Sequence, residues 1–133
     1  MIEAQMEFVI RPYDIDWGGI VSNIVYVRWL EDLRMELLRT NFPTYEVLAE
    51  SLMPVLIRTE IDYRSALRFH DVCTGHIVVE GIGRVSMKLR AAFRKRDGEI
   101  AAEARQTGVF VNSRTGRPVS LPAELREKFA AEK

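Results

Sequence analysis

The chain is poor in the residues that usually carry metal and redox chemistry. It has one cysteine in 133 residues, Cys73, which excludes an intrachain disulfide framework and a cysteine-based zinc centre. Its two histidines, His70 and His76, lie six apart in a strand-like region, so no metal site is expected. An excess of either charge is also missing: Lys plus Arg is 19 and Asp plus Glu is 19. Without one, neither a nucleic-acid partner nor a membrane surface has compositional support. No apolar run approaches the ~20 residues of a membrane span. The start, Met1–Glu7, holds acids rather than a signal-type apolar run. A soluble cytoplasmic protein is expected. Gly-x-Ser-x-Gly, phosphate-loop and Gly-x-Gly-x-x-Gly patterns are all absent.

What is present reads as one globular domain over residues 1–133, with 47% hydrophobic and 29% charged residues. Residues 2–11 carry a strand pattern that Pro12 ends. Tyr26, Leu30, Leu33 and Leu37 recur at helical spacing, and Ser22 or Asn23 supplies a cap. This long one-sided helix runs to about Arg39, and a short second helix is predicted over Thr44–Leu52. From Met53 the period changes to two, with Val55, Ile57, Thr59, Ile61 and Tyr63 on one face. Further strands are predicted over 72–81, 85–94 and 99–112. Arg96-Asp97-Gly98 marks a hairpin, and the alanine-rich last strand reads as central and covered on both faces. Asn112–Gly116 is a turn, and 118–133 a polar tail with one helical turn near Glu124–Phe129. This order predicts α+β, an antiparallel sheet of about five strands with a long helix on one face. One helix cannot cover such a sheet, so a homo-oligomer is expected.

The chemistry concentrates in Arg11–Asn23. Asp14 and Asp16 stand two apart on a turn before the long helix. In extended backbone they face opposite ways, one into a site and one bracing the turn. Both can equally be turn residues, which is common for Asp. The helix start adds free N–H groups and a positive dipole end, suited to a developing oxyanion. A carboxylate just upstream then makes a two-part acyl-transfer site. Cys73 reads as a small buried hydrophobe.

Tyr13-Asp-Ile-Asp-x-x-Gly-Ile-Val21 and Tyr26-x-Arg-Trp29 resemble the 4-hydroxybenzoyl-CoA thioesterase family of hotdog-fold proteins. The similarity continues through Ile61–Asp71, the Arg96–Gly98 hairpin, Thr115–Pro118 and Leu121-Pro122. It implies a long central helix wrapped by a curved sheet, and dimers or dimers of dimers with sites at the subunit interface. It implies hydrolysis of acyl-CoA thioesters without a cofactor. By position, Asp16 is the catalytic carboxylate, as nucleophile or general base, and Asp14 supports it. The Asn23 backbone N–H matches the oxyanion donor, and Gly19 lets the backbone pass close to the thioester. Trp17 and Tyr26 are the candidate acyl contacts. Coenzyme A carries phosphates, for which Arg90 and Arg94 are candidates. The chain leaves the family pattern at Trp17, Asn23 and Val25. The alternatives are a non-catalytic acyl-CoA-binding or structural dimer, and a thioesterase acting on acyl carrier protein; a dehydratase ranks last, since His70 and His76 lie far in sequence from Asp16.

Overall fold

The computed structural model describes residues 1–42 and 51–132. Five strands, β1 (Glu3–Phe8), β2 (Leu52–Tyr63), β3 (Cys73–Ile82), β4 (Ser86–Lys95) and β5 (Ile100–Asn112), form one antiparallel sheet in the order β1-β3-β4-β5-β2. Helix α1 (Asn23–Asn41, 19 residues) packs along one face, and α2 (Ala123–Ala131) closes the C-terminal end. This is the hotdog arrangement that the resemblance implies.

The core forms where the two periodicities meet. Trp29, Leu30, Leu33 and Leu37 on α1 face Ile77 and Val79 on β3 and Met87, Leu89 and Phe93 on β4, all buried. Phe8 stacks on Trp29 with centroids 4.9 Å apart, and Tyr26 meets Phe93 edge-on at 5.3 Å. Gly75 on β3 makes this closeness possible. A Cβ there would lie 2.6 Å from Phe8 and 3.1 Å from Leu33.

Several expectations change. The first strand stops at Phe8, because Pro12–Asp14 forms a 3-10 turn. Helix α1 continues two residues past Arg39 to Asn41, whose side-chain amide donates to the Glu3 carbonyl at 2.9 Å and ties the helix end to β1. The apolar face of β2 is broken by a bulge between Leu56 and Arg58, which leaves Ile57 63% exposed. β3 starts at Cys73 and runs to Ile82, one residue past the predicted strand over 72–81. β5 lies inside the sheet, with Ala102, Ala104, Gln106, Gly108 and Phe110 buried on its inner face and Ala101 and Val111 buried near its ends on the other, while Arg105 stays exposed. Its alternation is hidden because Ala102, Ala104 and Gln106 on the inner face are small or polar. The C-terminal tail is a nine-residue helix, held by buried Leu121 and Leu125 and by the Arg126 guanidinium, which donates to the Arg84 carbonyl. The Asp97-Gly98 hairpin and the Asn112–Gly116 turn form as expected, with Gly98 N–H donating to the Lys95 carbonyl at 2.9 Å and Gly116 N–H to the Asn112 carbonyl at 2.7 Å. The predicted second helix falls mainly on residues outside those described; Leu52, at its end, belongs to β2. Among the described residues no helix is long and apolar enough to cross a membrane.

Candidate active site

The turn before α1 is built by its two aspartates. Asp14 is buried; its Oδ2 accepts the Arg11 N–H at 2.8 Å and its carbonyl accepts the Ser22 N–H at 2.9 Å. Ile15 is extended and bridges Val21, so the chain folds back on itself between them. Asp16 sits at the head of that loop, half-buried. Its Oδ1 accepts the Gly18 N–H at 2.8 Å and the Ile20 N–H at 3.5 Å. Its backbone closes the same loop, donating to the Ile20 carbonyl at 2.9 Å and accepting the Gly19 N–H at 3.0 Å. The two carboxylates therefore part: Asp14 turns into the core and Asp16 stays at the surface, held on one oxygen.

Two glycines shape this loop. Gly19 has φ +82°, a left-handed conformation that side chains resist, and a Cβ there would meet no atom within 4 Å. Within one chain it is glycine for its backbone angle rather than for a close approach. At Gly18 a Cβ would lie 3.2 Å from Asp16 Oδ1, so this position leaves room for the carboxylate.

The loop delivers the chain to α1. Ser22 holds the N-cap position but makes no side-chain cap bond, and no acid lies in the first turn. A helix cannot satisfy its own first N–H groups, so those of Asn23 and Ile24 form a positive end that no residue of α1 neutralises. Asn23 is exposed. Its carbonyl accepts the Tyr63 hydroxyl from the end of β2 at 3.1 Å, and the Tyr63 ring meets Tyr26 edge-on at 5.6 Å. Burial raises the Tyr63 pKa. The Val21 N–H donates to the Leu67 carbonyl at 2.8 Å, fastening the other side of the turn.

The other expected site residues scatter. Trp17 is 102% exposed, so a single chain gives it no pocket to line. Tyr26 is 3% exposed and belongs to the aromatic core; burial pushes its hydroxyl well above the usual tyrosine range. Val25 is also core. Arg90 and Arg94 lie on the sheet face opposite the α1 layer, so they do not join Asp16 within one chain. Gly18 and Tyr63, which hold Asp16 and the helix start, are not among the expected site residues. The Asp-x-Gly spacing signals the first; the second joins residues 40 apart and leaves no local signal.

A family model for the thioesterase-like superfamily matches residues 10–129. The chain belongs to this superfamily. It is 25% identical over 126 residues to the long-chain acyl-CoA thioesterase FadM of Escherichia coli, covering 94% of this chain and 96% of that protein. It is 26% identical over 133 residues to the acyl-CoA thioesterase YbgC of Haemophilus influenzae, with 97% of each covered. A thioesterase from Thermus thermophilus, solved with coenzyme A and zinc, superposes with TM-score 0.81 at 26% identity, covering 96% of this chain and 91% of that one. In this chain, no cluster of His, Cys, Asp and Glu suited to a metal occurs among the described residues.

Proposed function

We propose that this chain hydrolyses acyl-coenzyme A thioesters to the free acid and coenzyme A. The observation that carries the reading is the Asp16 carboxylate, fixed by the Gly18 and Ile20 N–H groups beside an uncapped helix start. The thioester oxygen would sit at the Asn23 N–H, where the helix end stabilises the charge that develops on attack. Asp16 would then act through the oxygen not bound to the turn. As nucleophile it forms an acyl-enzyme anhydride and releases the thiolate, and water cleaves the anhydride. As general base it takes a proton from the attacking water, and the C–S bond breaks to give acid and thiol. Either route ends in the same products.

The likeness to FadM and YbgC supports coenzyme A as the carrier. Trp17, Ile24 and Val27 are large, apolar and exposed near the helix start. A second copy of the chain would cover them and supply the missing wall of the acyl pocket, with Trp17 lining it.

One observation favours a second reading, binding without turnover: both bonds to Asp16 come from its own turn, where they would serve the fold alone. Asp16→Asn separates the two, because an amide oxygen still accepts from Gly18 and Ile20 but neither attacks nor takes a proton. Thiol release is measured over aromatic and aliphatic acyl-CoAs and an acyl-carrier-protein thioester. The expected result is turnover by the wild type and about 10²–10⁴-fold less by Asp16→Asn, with thermal unfolding unchanged. A wild type that binds but never turns over any of the panel, or a variant with full rate, refutes hydrolysis by Asp16.

A further inference from the structure

The sheet face away from α1 carries its charges in cross-strand rows, because residues paired in register stand side by side. One row runs Glu3 on β1, Val78 on β3, Arg90 on β4, Arg105 on β5 and Glu60 on β2. Its two arginines are direct partners. Like charges so placed repel. Acids close the row at both ends, but each is engaged elsewhere: Glu3 holds His76 at 2.9 Å and Glu60 holds Arg58 at 2.7 Å. In the adjoining row Glu103 holds Arg64 at 3.0 Å, and Asp62 stands opposite Glu103 rather than opposite an arginine. Among the described residues neither Arg90 nor Arg105 enters an ion pair.

The two guanidiniums open onto a groove of about 770 Å³ that Arg94 and His76 also line. Ala92, next after Arg90 on the same face, also lines the groove. We infer that this groove is an oxyanion site, seating one phosphate-type group between Arg90 and Arg105. Two guanidiniums on cross-strand partners that line one groove can each donate to the oxygens of a phosphoryl group, which turns their mutual repulsion into shared attraction. Glu60, Asp62 and Glu103 rim the same groove. They restrict it to a compact anion and disfavour a polyanion such as nucleic acid. The phosphoryl group comes either from the nucleotide part of coenzyme A or from free phosphate. Binding does not depend on thioester hydrolysis.

The test uses the full chain with inorganic phosphate, adenosine 3′,5′-bisphosphate and adenosine, read by calorimetry and thermal unfolding. Wild type should bind the phosphorylated probes and gain about 4 °C in Tm at ten times their Kd. Arg105→Gln and Arg90→Gln should each weaken that binding about tenfold or more. Without any anion, Arg105→Gln should melt no lower than wild type, since it relieves a repulsion. Bisphosphate binding more tightly than phosphate identifies the nucleotide as source, and equal affinity identifies free phosphate; either supports the site. Adenosine binding as well as its bisphosphate, unchanged affinity in both variants, or a change of oligomeric mass in Arg105→Gln would overturn it, the last in favour of an interface between copies.

Discussion

Asp16 receives its hydrogen bonds on one oxygen, and Gly18 provides both the nearer donor and the empty space beside it. The built Cβ distance of 3.2 Å means that a methyl group at position 18 displaces the carboxylate by a few tenths of an ångström. Misplacing a catalytic group costs rate steeply while leaving binding and fold nearly intact. Gly18→Ala should therefore lower kcat about tenfold with KM and Tm close to wild type. Steady-state kinetics beside a melting curve checks this, and an unchanged kcat would place the working oxygen elsewhere. This position differs from Gly19, whose φ of +82° makes it a backbone requirement of the loop.

Helix α1 and the sheet it covers share buried groups that resist ionisation. Burial raises the Cys73 thiol on β3 from 9.0 to about 12, and raises the Tyr26 hydroxyl on α1 as well. The unfolded chain gives up the thiol proton above about pH 9, while the folded chain keeps it until about 12. The unfolded state then binds fewer protons, so stability falls as pH rises through that window, by about 1.4 kcal/mol per pH unit for each such group. Urea midpoints between about pH 8 and pH 10.5 should drop, and Cys73→Ala should flatten the drop; equal slopes in both proteins would exclude the thiol as a cause. The elements that make this layer were legible wherever side-chain period and turn chemistry agreed, as in Met87–Phe93, the Asp97-Gly98 hairpin and Tyr26–Leu37. They were illegible where long-range packing decided. The bulge beside Ile57 answers to pairing with β5, and the last helix depends on Leu125 reaching a core built elsewhere in the chain. At the site, the split between Asp14 and Asp16 follows from their spacing, whereas the Tyr63 tie to Asn23 exists only once β2 has reached the helix start.

Taken whole, the chain presents apolar side chains around the start of α1, among them Tyr13, Trp17, Ile24 and Val27, all exposed. Among the described residues the 12-residue strand β2 also has a neighbour on one side only, β5. Unpaired strand edges and clustered apolar side chains both call for a partner. Sedimentation at micromolar concentration should give a mass of two chains or a multiple, and Ile24→Asp should shift it toward one; a single-chain mass at every concentration would refute a partner copy. The hydrogen bond from Tyr63 to the Asn23 carbonyl gives such an assembly a further property. The strand whose free edge would meet a partner ends on the peptide that opens the helix. A ligand that favours one placement of that peptide favours one placement of the strand, and coupling between two binding events is necessarily mutual. Occupancy of the site and cohesion of the assembly would then rise and fall together, by the same factor in each direction.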